Sequence, residues 1–135
     1  MPYTPDYPFP RLEYGETLEV APGIHWVRMP LPFALNHINL WLLADGDGWT
    51  VVDTGYNVDR TREIWDDVLG KIAGGAPVSR LICTHYHPDH LGIAGWFHER
   101  FDAPLWMTYG EWLQGHVADA GILTHDFDRW AQFYR

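Results

Sequence analysis

Cationic side chains are scarce in this sequence. Lys and Arg together number 9 against 18 Asp and Glu, giving a formal net charge of −9 at pH 7. A phosphate backbone is held by a Lys/Arg footprint, so no nucleic-acid partner is expected. Cysteine is nearly absent: Cys83 stands alone, no internal disulfide can form, and a reducing cytoplasm is the expected compartment. No apolar run approaches the roughly 18 residues of a membrane-spanning helix, so no membrane partner is expected either. The opening residues, Met-Pro-Tyr-Thr-Pro-Asp-Tyr-Pro-Phe-Pro, lack the basic-then-apolar layout of a signal peptide. Internal repeats and low-complexity tracts are missing too.

What is present suffices for one packed body. The 135 residues are 47 % hydrophobic and include 8 tryptophans, so residues 1–135 read as a single ordered domain. Four of the 10 prolines fall in residues 1–12, and an irregular arm is expected over residues 1–16. A sheet with the chemistry-bearing loop is expected over residues 17–107, and a helical segment over residues 108–135.

Within that frame, Leu18 to Val20 and Ile24 to Met29 read as strands joined at the turn dipeptide Pro22-Gly23. Ile38 to Ala44 is nearly continuous in apolar residues and predicts a strand covered on both faces. Asp45-Gly46-Asp47-Gly48 predicts a hairpin into Thr50 to Asp53. A calcium loop would need Glu at its twelfth position, where Tyr56 stands. Asn57 or Asp59 caps a predicted helix to about Lys71, with Ile64, Trp65, Val68 and Leu69 as its buried stripe, and Gly70 through Pro77 is a loop. Ala103 to Met107 predicts a further strand, Thr108 the cap of a helix through Leu113, and Asp126 to Tyr134 a last helix. Strand–helix alternation after residue 50 indicates an α/β-type layer.

The chemistry concentrates in Leu81 to Gly92. His85, His87 and His90, three of the 8 histidines, lie within six positions, with Asp89 among them. An apolar run, Val78 to Cys83, precedes them as a buried strand. Leu91, Ala94, Phe97 and Phe101 follow at helical spacing. The histidines therefore sit on a turn at a strand end, where open α/β sheets place their sites. Side chains two apart in extended chain point the same way, so His85 and His87 can reach one point. Pro88 sets the turn, and Asp89 and His90 open the next helix, close enough to hold a second ion. Imidazole nitrogens with a carboxylate suit Zn2+, or iron or manganese. Two ions about 3.5–4 Å apart can share and acidify one water. The plain alternative is a polar loop whose histidines face solvent.

Thr84 to Gly92, Thr-His-Tyr-His-Pro-Asp-His-Leu-Gly, resembles the T-H-x-H-x-D-H-x-G signature of the metallo-β-lactamase superfamily at every fixed position. Trp49 to Gly55 resembles the strand ending in D-T-G that precedes it there. The resemblance implies metal ligation by His85 and His87 at one ion and by Asp89 and His90 at a second. It implies Asp89 as the catalytic carboxylate, with Asp53 and Thr84 standing behind the ligands to orient them. The implied fold is α+β: the N-terminal half of a four-layer αββα sandwich, with a mixed sheet carrying helices on one face. The implied activity is hydrolysis of a small ester, thioester or lactone through metal-bound hydroxide.

Each ion finds only two ligands here, because the bridging carboxylate and further histidines of that family lie in a second half. The 135 residues therefore read as a truncated part of a larger hydrolase, expected to be inactive alone. Gly115-His116-Val117 is superficially similar to the family's G-H-T, but the small-residue turn followed by Gly-His is missing, and neither His116 nor His125 is expected to bind metal. His37 reads as a structural hydrogen-bonding residue, His25 and His98 as half-exposed ones, and Cys83 as core rather than nucleophile. A half-sandwich leaves one apolar sheet face open, so a homodimer through that face is expected, burying roughly 2,000 Å² or more. A non-catalytic folding or assembly module with an incomplete metal site is the other function class the sequence allows.

Overall fold

Alternating strands and tight turns build the first half of the chain. In the computed structural model, which describes residues 8–119, six strands form one mixed sheet whose order follows the chain. β1 (Thr17–Ala21), β2 (Ile24–Pro30), β3 (His37–Asp45) and β4 (Gly48–Val52) are successive antiparallel neighbours. Gly23 and Gly46, at φ 73° and 61°, make the turns that the Pro22-Gly23 and Asp45–Gly48 stretches predict. β5 (Val78–Ile82) and β6 (Leu105–Trp106) then add in parallel. A parallel neighbour needs a crossover, and α1 (Asp59–Ile72) provides it between β4 and β5. One helical turn, α2 (Pro88–Leu91), and α3 (Ala94–Phe101) separate β5 from β6, and α4 (Tyr109–Asp119) follows.

The core lies on one side of the sheet. Thr61, Ile64, Trp65, Val68 and Leu69 form the buried stripe of α1 at helical spacing. They pack with Val27, Met29, Leu40, Leu42 and Val51, and Phe97 of α3 meets the Trp65 ring edge-on at 5.3 Å between centroids. Each such side chain, fully buried, contributes about 1.5–3 kcal/mol. The opposite face carries its own apolar row, set by strand register: Leu18, Trp26, Trp41, Val52, Ile82 and Trp106 stand side by side across all six strands. These are half-buried or, for Trp106, exposed. Arg80 closes the row's end, its guanidinium 4.7 Å from the Trp106 ring centroid and its Nε 2.9 Å from Asp45.

Several expectations are corrected. Among the described residues β3 is fully covered on one face: Ile38, Leu40 and Leu42 are buried, Asn39 is exposed, and Trp41 and Leu43 are half-buried. Its apolar continuity reports that both faces favour cover, while α1 and α3 pack on one. Val58 stands at the cap of α1, where its side chain has no acceptor to offer, and Asn57 and Asp59 are both engaged by Arg62. Gly70 belongs to α1 and not to the following loop. The last strand shortens to two residues, with Pro104, which has no N–H to donate, just before it. The predicted helix from Leu91 is split at Gly92 and Ile93 into α2 and α3. The predicted helix Asp126–Tyr134 and His125 lie outside the described residues.

Candidate metal centre

Because β4 and β5 are parallel neighbours, their C-terminal ends emerge side by side, and Val52 pairs with Ile82 at the last register position. The loops that continue from them, Asp53 onward and Cys83 onward, therefore meet at one sheet end. Asp53 leaves the strand with φ 59°, a left-handed backbone uncommon outside glycine, while its N–H still donates to the Ile82 carbonyl at 2.8 Å. That turn aims its carboxylate at the second loop. Thr84 donates to it twice, from N–H at 2.8 Å and from the hydroxyl at 2.8 Å to Oδ2. His90 Nδ1 lies 2.8 Å from the same Oδ2.

Those bonds settle the imidazole tautomers. A carboxylate only accepts, so His90 donates from Nδ1, and in the neutral ring the lone pair is then on Nε2. The Thr84 hydroxyl hydrogen is committed to Asp53, so Thr84 Oγ1 accepts from His85 Nδ1 at 3.0 Å. His85 Nε2 is thereby left basic as well. Burial lowers the His85 pKa, and the neighbouring His90 and His87 lower it further, which favours the neutral imidazole that ligates metals. For Asp53, burial alone would raise the pKa, but the bonds from His90 and Thr84 outweigh it and the net direction is down.

The donor atoms gather in two pairs. His85 Nε2 lies 3.1 Å from His87 Nδ1, and the His85 and His90 ring centroids are 3.8 Å apart. A tetrahedral zinc with Zn–N distances of about 2.0–2.1 Å sets its ligand nitrogens about 3.3–3.4 Å apart. The spacing of this first pair is close to that edge, but with His85 Nε2 basic, His87 Nδ1 donates to it across the gap, and a cation entering between the two would replace that hydrogen. The second pair is Asp89 Oδ2 and His90 Nε2, 3.7 Å apart. Among the described residues no three His, Cys, Asp or Glu side chains surround a single point. The residues fit a divalent cation as two ligand pairs, not as one complete cage.

A further set of bonds ties the loops together beneath the donors. Thr54, 1 % exposed, donates from both N–H (2.7 Å) and hydroxyl (2.9 Å) to the His90 carbonyl, and its own carbonyl accepts from the Trp65 indole at 2.7 Å. Gly92 is pressed so close that a Cβ there would stand 2.3 Å from Pro88 O and 2.7 Å from Gly55 O. On the other side, the Cys83 thiol donates to the His85 carbonyl at 3.0 Å, and Tyr86 N–H donates to Glu111 of α4 at 2.9 Å. Cys83 is 3 % exposed with its pKa pushed up to about 12, chiefly by burial and then by the Asp53 charge, which makes it a core thiol.

Among the described residues, the other histidines have partners of their own. His37 is hydrogen-bonded to Asn36 at 2.7 Å, His25 meets Trp49 edge-on, and His98 approaches the Ala103 carbonyl. His116 donates from Nδ1 to the Trp112 carbonyl at 2.9 Å on the exposed side of α4.

The sequence profile of the metallo-beta-lactamase superfamily matches residues 34–126, well over half of the chain. The chain belongs to that superfamily. Its members share a hydrolase-like fold and commonly bind divalent metals. A "Probable metallo-hydrolase YybB" of Bacillus subtilis (strain 168) is 36 % identical over 74 residues, covering 55 % of this chain and 31 % of that protein. Among solved structures, a beta-lactamase domain protein from Burkholderia ambifaria is 47 % identical with a TM-score of 0.75, over 83 % of this chain and 36 % of that one. A metallo-beta-lactamase family protein from Thermus thermophilus is 27 % identical with a TM-score of 0.69, over 85 % and 38 %. The chain thus spans about a third of the length of these superfamily relatives.

Sequence reasoning named Thr84, His85, His87, Asp89, His90 and Asp53, and the superfamily fold gathers all six at one sheet end. It missed Thr54, Trp65 and Glu111. Trp65 was legible only as part of an apolar stripe, and its indole N–H, which must find a partner once buried, was the available signal.

Proposed function

We propose that this sheet end is half of the metal centre of a hydrolase acting on a small ester, thioester or lactone. The observation that carries the reading is the hydrogen-bonded set around Asp53, which leaves the Nε2 atoms of His85 and His90 basic and directed away from their anchors. His85 and His87 hold one cation, and Asp89 and His90 a second. Zn2+ is the proposed cation, with iron or manganese compatible with the same donors. When bound, such cations supply Lewis acidity toward a carbonyl and a water acidified toward neutral pH. Asp53 and Thr84 orient the imidazoles and hold their tautomers. Asp89 is the proposed catalytic residue, the carboxylate oxygen left free of the cation taking the proton of the attacking water and returning it to the leaving alcohol or thiol.

The net charge of −9 supports a small-molecule substrate over nucleic acid. No helix among the described residues is long and apolar enough to cross a membrane. The buried free thiol of Cys83 supports a cytoplasmic setting, and the apolar row on the open sheet face supports a homodimer. A second reading, a non-catalytic assembly module, draws on the two-ligand pairs. Zinc titration calorimetry on the chain and on His87→Ala, with a panel of ester, thioester and lactone substrates, separates the readings. Weaker uptake by His87→Ala is expected, and identical titrations would sink the metal reading. Turnover of any substrate would sink the module, while uptake without turnover is what half of a centre is expected to show.

A further inference from the structure

Thr108-Tyr109-Gly110-Glu111 has the pattern of a helix capping box, in which a Thr at the cap is followed three residues later by Glu. Half of the box is made: Thr108 Oγ1 accepts from Glu111 N–H at 3.4 Å, and the Thr108 carbonyl accepts from Trp112 N–H at 3.0 Å. In the complete motif the glutamate reaches back to the N–H of its own cap residue. Here Glu111 Oε2 turns outward and accepts the backbone N–H of Tyr86 at 2.9 Å. Tyr86 is the residue between His85 and His87. One turn later, Gly115 lies against the same loop, where a Cβ would stand 3.5 Å from Leu91 and 3.6 Å from Tyr86.

We propose that Glu111 is a positioning residue whose carboxylate, diverted from its own helix cap, fixes the backbone between His85 and His87. The proposal rests on the metal reading above. His85 and His87 follow a bend at Thr84 and His85, and their side chains converge only while the peptide between them keeps that form. Three bonds hold that form: Thr84 N–H to Asp53, the Cys83 thiol to the His85 carbonyl, and Tyr86 N–H to Glu111. Asp53 and Cys83 directly follow the two strands that frame the loop. Glu111 arrives from a separate helix, 25 residues further along, and so links the seating of α4 to the separation of the two imidazoles.

The test uses Glu111→Ala and Glu111→Gln in the full chain, with two readouts. The first is amide exchange at Tyr86 without added metal. The second is Co2+ titration followed by visible absorption. Glu111→Ala should speed Tyr86 exchange and weaken Co2+ uptake by about tenfold or more, while Glu111→Gln, whose amide oxygen still accepts, retains most of both. Thr108→Ala, which removes the cap and leaves the carboxylate, should keep Tyr86 protected. Tyr86 exchange and Co2+ affinity within twofold of wild type in Glu111→Ala would overturn the proposal, as would equal losses in the Ala and Gln variants. No Co2+ uptake by the wild-type chain would instead sink the metal reading, and Tyr86 exchange then decides the role of Glu111.

Discussion

Two glycine substitutions to alanine should act in opposite directions, for reasons that can be read from their surroundings. Gly92 has φ −53° and ψ −37°, a backbone that alanine adopts freely. A Cβ there, however, would stand 2.3 Å from Pro88 O, 2.7 Å from Gly55 O and 2.9 Å from Asn57 N. All three are backbone atoms, so no side chain can rotate to make room, and the loop behind Asp53 must move away from the loop behind His90. Forcing an extra carbon into a packed site costs about 1–3 kcal/mol and sometimes more, and this one, against three backbone atoms, should cost about 3 kcal/mol. Gly70 lies inside α1 with nothing within 4 Å of a built Cβ. Alanine there should stabilise by about 0.5–1 kcal/mol, since glycine gives up more backbone freedom in a helix. At roughly 3–6 °C per kcal/mol for a chain of this size, thermal unfolding followed by tryptophan fluorescence should place Gly92→Ala at least about 9 °C below wild type and Gly70→Ala about 2–6 °C above it. A Gly92→Ala protein melting within 2 °C of wild type would refute the argument that these loops are locked by contact.

Three further outcomes follow from the same contacts. With a pKa near 12, Cys83 is about one part in ten thousand thiolate at pH 8, so a thiol reagent should label it only on unfolding; native labelling at the rate of a free cysteine would contradict its burial. Asp53→Asn keeps a residue that tolerates φ 59° while removing the charge, and should weaken metal affinity about 10- to 100-fold by competition titration. The apolar row across the six strands should drive self-association at micromolar concentration, which sedimentation equilibrium reads directly; a monodisperse monomer would count against the homodimer.

Much of the fold was legible because its determinants are local. Alternation and turn dipeptides locate β1 to β4, and the apolar stripe locates α1, since each signal is written in consecutive residues. The ligand-type residues were legible for the same reason, being clustered within six positions. What was not legible depends on approach between segments distant in sequence. The break at Gly92 is set by Gly55 and Asn57, more than thirty positions away. Thr54 and Trp65 look like ordinary strand-end and core residues until their bonds to His90 and to each other are seen. Glu111 looks like a helix-capping residue, and only the tertiary fold diverts it.

The left-handed turn at Asp53 shows how this sheet end is held by the chain's own bonds. A non-glycine residue in that conformation costs on the order of 1–3 kcal/mol and persists only where its surroundings over-determine it. Here they do: Asp53 N–H is fixed to Ile82, its carboxylate takes bonds from Thr84 and His90, and Thr54 beside it clamps the His90 carbonyl from beneath. The same bonds that offset the strain assign the protons of His85 and His90. A straight β4 ending would relieve the strain and turn the carboxylate away from the second loop, releasing both tautomers at once. The strain and the orientation of the donors are therefore a single feature of the fold, and stability lost at Asp53 should be accompanied by loss of donor geometry.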